Sequence, residues 1–248
     1  ISTMDTTLNY SPGFEIKKRK AKQIKFIIFH YTGMKKESEA IERLTSMKSK
    51  VSCHYFIRYN GEIIIMVPDL YEAWHAGMSS WKNLKSLNKF SIGIEISNPG
   101  HEYKYKKFSK NQIQSLKKLS QYLIEKYKIN KKNILCHSDI APTRKKDPGE
   151  KFPWKHLAKF GIGKWHLLSQ KILIKNRRKK ISLLDKKIFF KNLSIIGYSI
   201  KSPSKLKKDK FLNLITIAFQ RRFRQELING KIDQECLLIS QNLVKKLN

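Results

Sequence analysis

The strongest constraint on the fold of this 248-residue chain is a set of three strand-like runs. Residues 25–33 (KFIIFHYTG) are β-branched and aromatic as far as His30, after which turn-forming residues follow. Residues 91–98 (SIGIEISN) alternate apolar and polar side chains, which places Glu95 on the face opposite the isoleucines. Residues 133–136 form a third, shorter apolar run. Runs of this kind, separated by helical patterns, predict an α/β fold.

Helical and turn patterns lie between the runs. Residues 37–49 predict an amphipathic helix, and residues 110–127 predict a longer helix with an apolar stripe. Residues 54–67 predict a β-hairpin in which Asn60 and Gly61 supply the two positive-φ positions of a tight turn. The alternation favours a central mixed β-sheet flanked by helices.

A turn-rich segment, 136–149 (CHSDIAPTRKKDPG), continues from the third run. His137 and Asp147 are ten residues apart, and Pro142 and Pro148 prevent them from sharing one helical face. The two side chains must therefore converge through a loop. A histidine and an aspartate at a strand end suit a metal site or an acid–base site. The alternative is a structural histidine beside a turn-forming Asp-Pro-Gly.

The other two runs supply partners for this segment. His30 together with His137 and Asp147 makes a set of three ligands, which leaves zinc an open fourth position for water. A carboxylate outside the ligand set, such as Glu95, is then available as the base that takes a proton from that water.

Five ordered segments of the chain resemble the zinc-dependent N-acetylmuramoyl-L-alanine amidases, in the branch that includes the anhydro-muropeptide amidases. The segments are FIIFHYT at 26–32, VSCHYFI at 51–57, WHAG at 74–77, SIGIEI at 91–96 and CHSDIAPTRKKDPG at 136–149. The match extends from about residue 20 to about residue 165 in the family's order.

The resemblance implies a role for each of five residues. His30, His137 and Asp147 would bind Zn²⁺, Glu95 would be the general base, and Lys145 would stabilise the oxyanion. The implied reaction is hydrolysis of the amide bond between N-acetylmuramic acid, or its 1,6-anhydro form, and L-alanine in peptidoglycan or muropeptides. The alternative is a non-catalytic peptidoglycan-recognition protein on the same fold. The complete set of ligands and base favours catalysis.

The resemblance also implies substrate-binding residues. His75 follows Trp74, and both are expected to line the muropeptide groove, where aromatic rings suit sugars. We favour a groove-lining position for His54 as well, and Asn98 completes the expected set. The alternative for a histidine on a strand, such as His54, is a hydrogen-bonded core residue.

The three cysteines give an odd count without a Cys-x-x-Cys pair, so a disulfide framework is not expected. Cys53 and Cys136 each precede a motif histidine, at positions where the family usually has a small residue and glycine, respectively. Buried free thiols are the expectation, and a cysteine ligand to zinc is the less favoured alternative.

The formal net charge of +33 points towards an anionic partner. Lysine accounts for 43 of the 52 basic residues, whereas specific nucleic-acid recognition depends on arginine and on motifs that this sequence lacks. We therefore expect no specific nucleic-acid partner. Attraction to peptidoglycan, whose stem peptides carry carboxylates, is favoured over a solvated face without a partner.

The composition changes after about residue 168. Residues from 171 to the end carry 20 basic and 5 acidic residues, a net charge of +15. Helical patterns follow at 182–191, 210–224 and 233–247, and Asp233 suits the N-cap of the last. This region is similar to the small three-helix peptidoglycan-binding domain often appended to such amidases. The alternative is a helical appendage that only packs on the amidase.

The predicted division of the chain has three parts. They are an amidase domain at 1–168 with a lead-in at 1–20, a basic linker at 169–180, and a helical peptidoglycan-binding-like domain at 181–248.

No apolar run is long enough to cross a bilayer, so no transmembrane segment is expected in this chain. Since the sequence begins at Ile1 rather than Met, removal of an upstream targeting or lipid-anchor segment is compatible with it. We expect a periplasmic or exported protein associated with the cell envelope, with a cytoplasmic location as the alternative.

Overall fold

The computed structural model describes residues 4–201 and 206–245, and it confirms the predicted α/β class. The main sheet is mixed and contains six strands within the described residues. From one edge to the other they are β1 (Thr6–Leu8), β5 (Ile63–Ile65), β4 (Tyr55–Ile57), β9 (Ser91–Ile96), β3 (Phe26–Tyr31) and β10 (Ile134–Cys136). Two antiparallel pairs lie outside it: β2 (Phe14–Glu15) with β6 (Glu72–Ala73), and β7 (Ser80–Trp81) with β8 (Leu84–Lys85).

The described residues also form eight α-helices. They are α1 (Glu37–Thr45), α2 (Lys110–Tyr127), α3 (His137–Ile140), α4 (Trp154–Ala158), α5 (Gln170–Asn176), α6 (Leu183–Ile196), α7 (Lys208–Phe223) and α8 (Gln234–Lys245). Short 3-10 turns occupy Ala21–Gln23, Met47–Ser49, Leu87–Phe90 and Lys131–Asn133. Helix α2 has the predicted bounds. Helix α1 ends before the predicted limit of 49 because Ser46 adopts extended backbone angles (φ −98°, ψ 126°).

The central strands β4, β9, β3 and β10 are parallel, and the β4–β5 hairpin is antiparallel. The hairpin is present where predicted, but its predicted turn is wrong. Only Gly61 has a positive φ (94°), and the loop contains five residues, 58–62, between the paired strands. The amide of Arg58 donates to the carbonyl of Glu62 (2.9 Å), and that of Gly61 donates to the carbonyl of Arg58 (3.0 Å). A longer loop of this kind needs one left-handed residue rather than two.

Both faces of the sheet are buried. Because alternate residues of a strand point to opposite faces, Ile27 and Phe29 of β3 share one apolar core with α2 and α4. Phe26 and Ile28 share a second core with α6, α7 and α8 on the other face. Burial on both faces is typical of parallel strands and explains the continuous apolar run that precedes His30.

The C-terminal region forms the three predicted helices, α6, α7 and α8. Asp233 caps α8 as predicted, because its Oδ1 accepts a hydrogen bond from the amide of Cys236 (3.0 Å). The predicted linker 169–180 contains helix α5. This helix was not predicted from the sequence because the basic run at 175–180 is typical of a linker. Leu173 of α5 is buried in the second core, so this stretch is packed on the protein and the expectation of a linker is wrong.

Within the described residues, no helix combines the length and the apolar character needed to cross a membrane.

Candidate metal centre and active-site cleft

Three parallel strands bring the candidate residues to one edge of the sheet. His30 and Glu95 are each the fifth of six residues in β3 and β9, and they are paired in the register of those strands. His137 follows β10 directly as the first residue of α3. Because the carboxyl ends of parallel strands meet at one edge, this topology places all three side chains close together.

The candidate metal ligands form a compact, buried group. The Nδ1 atoms of His30 and His137 are 3.0 Å apart, and Asp147 Oδ2 lies 3.1 Å from the first and 3.0 Å from the second. The amide of Ser138 donates to the carbonyl of Asp147 (3.0 Å), which closes the loop between the histidine and the aspartate. The convergence through a loop that the prolines predicted is therefore observed.

The hydrogen bonds around His137 favour a cation at this point. Its Nε2 lies 3.2 Å from the carbonyl oxygen of Ala76, which can only accept, so Nε2 is the donor in this contact. Its Nδ1 faces the Asp147 carboxylate and is the ring nitrogen left to bind a metal ion. Burial lowers the pKa of His30 to about 4, so the His30 ring is neutral at physiological pH. Two nitrogens and one carboxylate oxygen are a donor set that fits Zn²⁺.

Glu95 has the environment of a general base. Its Oε2 is buried and has no hydrogen-bond partner among the described residues. Burial, reinforced by the charge of Asp147, raises the pKa of the Glu95 carboxyl well above its usual value. A carboxylate with a raised pKa can take a proton from water and release it again near neutral pH.

A cleft of about 360 Å³ opens over these residues. Its lining includes Glu95, His137 and Asp147, together with the following basic side chains: Arg43, Arg144, Lys145 and Lys146. Within residues 4–201 and 206–245, no hydrogen bond or ion pair engages the ammonium group of Lys145. That group is therefore available to a negative charge that develops in the cleft.

The four expected substrate-binding residues occupy different positions. Trp74 and His75 line the cleft, and the indole of Trp74 donates to Glu15 (2.9 Å). His54 is fully buried, and its ring is engaged by the amide of Gly93 and by the carbonyl of Tyr71.

Asn98 is also buried, and its side chain bonds to the backbone of residues 100 and 106. His54 and Asn98 therefore do not line the cleft, contrary to expectation. For each, the polar atoms satisfy buried backbone groups, which is the ordinary role of a core polar residue.

Sequence reasoning missed two features of the cleft wall. Arg144 donates to the carbonyls of Ala76 (2.5 Å) and Met78 (2.7 Å), so it joins the metal-binding loop to the WHAG segment. Tyr31 and His101 are hydrogen-bonded (2.8 Å), and both line the cleft. The position of Arg144 beside Lys145 was the only local signal, while the tyrosine–histidine contact joins residues 70 positions apart.

All three cysteines are buried and free. Cys53 contacts the sulfur of Met66 (3.7 Å), and Cys136 contacts the hydroxyl of Ser138 (3.3 Å). Burial raises the pKa of both thiols well above the usual value. Neither belongs to the group of convergent donor atoms found within the described residues, which consists of two histidines and one aspartate.

Comparisons with known proteins identify the family of this chain. A family model for N-acetylmuramoyl-L-alanine amidase matches residues 20–150. The chain is 34% identical over 251 residues to N-acetylmuramoyl-L-alanine amidase AmiD of Escherichia coli K12, covering 94% of this chain and 89% of the relative.

Two solved structures are similar over nearly the whole chain. One is E. coli AmiD in complex with anhydro-N-acetylmuramic acid-L-Ala-D-γ-Glu-L-Lys, with a TM-score of 0.78 and 34% identity over 90% of each chain. The other is AmpDh3 of Pseudomonas aeruginosa in complex with anhydromuramic pentapeptide, with a TM-score of 0.78 and 29% identity. It covers 97% of this chain and 98% of the relative.

The parallel strands of this α/β fold bring two histidines, an aspartate and a glutamate together at their carboxyl ends. This arrangement is typical of a hydrolase. The chain belongs to the N-acetylmuramoyl-L-alanine amidase family. The likeness to AmiD includes the C-terminal helices as well as the sheet, since it covers nine-tenths of the chain.

Proposed function

We propose that this protein is a zinc-dependent amidase that hydrolyses the bond between N-acetylmuramic acid, or its 1,6-anhydro form, and L-alanine in peptidoglycan or muropeptides. The observation that carries the proposal is the convergence of His30 Nδ1, His137 Nδ1 and Asp147 Oδ2 within 3.1 Å of one another, in the same cleft as Glu95. Membership of the amidase family supports the choice of bond.

His30, His137 and Asp147 would hold the zinc. Zinc bound there supplies Lewis-acid chemistry, which polarises a carbonyl and acidifies water. Glu95 takes the proton of the attacking water and passes it to the nitrogen of the leaving L-alanine, a double use that its raised pKa permits. Lys145 neutralises the charge that develops on the carbonyl oxygen, because it lines the cleft and its ammonium group has no hydrogen bond or ion pair with the described residues.

The cleft suits an anionic glycopeptide. Arg43, Arg144 and Lys146 place positive charge along its wall, opposite in sign to the carboxylates of a stem peptide. Trp74 offers an aromatic face of the kind on which sugar rings stack. Two solved relatives carry anhydromuramic peptides, which supports the same class of substrate here.

Mass spectrometry of reaction products tests the proposal. Intact sacculi and soluble anhydro-muropeptides are incubated side by side with the zinc-loaded protein, with chelator-treated protein as the control. We expect free stem peptides that begin with L-alanine, formed only when zinc is present. Unchanged substrates of both kinds would contradict the proposal, and the relative rates on the two substrates would define the preferred form.

A non-catalytic recognition protein is the alternative function on this fold. Such a protein would retain muropeptides in a binding assay and release no peptide. The complete set of three ligands and a base argues against it, since binding alone requires none of these groups.

The C-terminal helices are proposed to bind wall polymer, and the protein is proposed to act in the cell envelope. Leu183 and Leu184 support a binding role, because they are 77% and 66% exposed at the start of α6. Replacing both with serine should lower retention on sacculi and leave turnover of soluble muropeptides unchanged. Leu8→Ser, at a 64% exposed site on β1, is the matched control. Equal retention of the double variant and the control would contradict a role for this surface.

A further inference from the structure

Two consecutive residues, His75 and Ala76, lie directly behind the candidate ligands. The Nε2 atom of His30 is 3.0 Å from His75 Nδ1, and that of His137 is 3.2 Å from the carbonyl oxygen of Ala76. Each ligand ring is therefore held on the side away from its metal-facing Nδ1 atom. Metal-binding histidines commonly donate their second N–H to a protein acceptor in this way.

The contacts of Ser91 determine which histidine donates in the His30–His75 hydrogen bond. Ser91 Oγ is 2.6 Å from the carbonyl oxygen of Leu87, which can only accept, so the single hydroxyl proton of Ser91 is used there. The same oxygen is 3.1 Å from His75 Nε2 and must accept a proton from it. A neutral His75 ring with its proton on Nε2 has a bare Nδ1.

The bare Nδ1 of His75 can only accept, so His30 donates to it from Nε2. Neutral His30 then has no proton on Nδ1, the atom that faces His137 and Asp147. The carbonyl oxygen of Leu87 thus determines the tautomer of His75 through the buried hydroxyl of Ser91. His75 in turn determines the tautomer of His30.

Resting on the zinc site proposed above, we propose that His75 is a positioning residue that holds His30 in the tautomer and orientation that present Nδ1 to the metal. His75 is 6% exposed, and both of its ring nitrogens are engaged by protein groups. It therefore has no free polar atom for a sugar or peptide, although it was expected to bind substrate.

The packing around His75 supports this role. A Cβ atom added at Gly93 would lie 2.3 Å from His75 Cγ, so strand β9 can pass the ring only where it has no side chain. Asn88 Oδ1 accepts from the amides of His75 (3.2 Å) and Ala76 (2.7 Å), which fixes the backbone that supports both ligand rings. His54 also packs against the ring of His75, with ring centroids 5.7 Å apart.

Two substitutions at one position separate the hydrogen bond from simple packing. His75→Phe keeps a ring of similar size but removes the acceptor, while His75→Asn keeps an acceptor near the position of Nδ1. The zinc dissociation constant is measured by competition with a chromophoric chelator, and the visible absorption of the Co²⁺-substituted protein reports the ligand geometry. Melting curves of the metal-free proteins verify that each variant is folded.

We expect zinc binding to weaken by about 10- to 100-fold in His75→Phe, with an altered Co²⁺ spectrum, and to recover largely in His75→Asn. Zinc affinity in His75→Phe equal to that of the wild type would overturn the inference. So would equal weakening in both variants, since a purely structural role would not distinguish them. A wild-type protein that binds no zinc would instead reject the metal site itself.

Ser91→Ala provides a second variant if His75→Phe does not fold. It removes the group that fixes the tautomer of His75 while leaving the ring in place. We expect zinc affinity to fall several-fold, a smaller effect than that of losing the acceptor itself. Unchanged zinc affinity together with an unchanged Co²⁺ spectrum would overturn the proposed role of the hydrogen bonds that connect Ser91, His75 and His30.

Discussion

Arg222 of helix α7 forms a buried ion pair with Asp139, which lies two residues after the candidate ligand His137. Arg222 also donates to the carbonyl of Ile134 (3.0 Å), in the strand that leads to this ligand. The hydroxyl of Tyr198 donates to the second oxygen of Asp139 (2.5 Å). The C-terminal region therefore holds both strand β10 and helix α3, which begins at His137, and it is part of the structure that supports the site.

The first prediction concerns the stability of this connection. Arg222→Ala should lower the free energy of unfolding by about 3–5 kcal/mol, because it leaves Asp139 buried without its charge partner. Tyr198→Phe removes a single hydrogen bond to the same carboxylate and should cost about 1–3 kcal/mol. Urea unfolding followed by circular dichroism provides both values. A loss below 1 kcal/mol in Arg222→Ala would show that the pair contributes little.

The second prediction concerns truncation. A chain that ends at residue 168 loses α5 to α8 and exposes the face of the sheet on which Phe26, Ile28 and Leu135 are buried. We expect this fragment to aggregate rather than to act as a separate amidase domain, because a large apolar patch then faces water. Size-exclusion chromatography of the fragment and the full chain checks this. A monomeric, zinc-binding fragment would establish that the predicted amidase domain folds without the C-terminal helices.

The sequence allowed the strands and the convergence of the candidate ligands to be predicted because their signals are local. Strand periodicity placed Glu95 opposite the isoleucines, and the prolines excluded a shared helical face for His137 and Asp147. The ion pair of Arg222 with Asp139 joins residues 83 positions apart, and no local pattern reports it. Helix α5 was missed because only one of its three aliphatic residues, Leu173, is buried, and the three are consecutive rather than spaced as an apolar stripe.

His54 and Asn98 illustrate a second limit of sequence reasoning. Both belong to segments that carry the resemblance or adjoin it, and both have side chains that could bind a sugar. Whether such a side chain faces a cleft or satisfies buried backbone groups depends on neighbouring strands, and here the second case holds. The sequence likewise does not show whether His75 binds substrate or supports neighbouring groups. The contacts of its two ring nitrogens favour the second role.

The third prediction tests the metal ligands. His137→Ala removes one of three convergent donor atoms, so the purified protein should lose most of its zinc, measured by elemental analysis against about one zinc per chain in the wild type. His156→Ala, at an exposed position in α4, serves as the control and should retain its zinc. Full occupancy in His137→Ala would reject the assignment of this residue as a ligand.

The fourth prediction separates metal binding from proton transfer. Glu95→Gln preserves size and shape but cannot accept a proton, so zinc content should remain while turnover falls by roughly two to four orders of magnitude. Glu125→Gln, an exposed carboxylate on α2, is the matched control and should retain normal turnover. Near-normal turnover in zinc-loaded Glu95→Gln would mean that another group activates the water.

The fifth prediction follows from the raised pKa of Glu95 and is made for the metal-free protein. Burial raises this pKa in the folded state above the unfolded value of about 4.3, so folding favours the protonated carboxyl group. The associated stability is fully present below the unfolded pKa and is lost as the pH rises through the folded pKa. Glu95→Gln cannot ionise and is spared this loss.

The melting temperature of metal-free Glu95→Gln should therefore equal that of the wild type near pH 4 and exceed it at pH 8. Both proteins contain the same other titrating groups, so the difference between the two curves isolates the carboxyl group of Glu95. Thermal melts at pH 4, 6 and 8, in the presence of a chelator, provide the comparison. A difference that does not change with pH would mean that Glu95 ionises normally in the fold and is not tuned by burial for proton transfer.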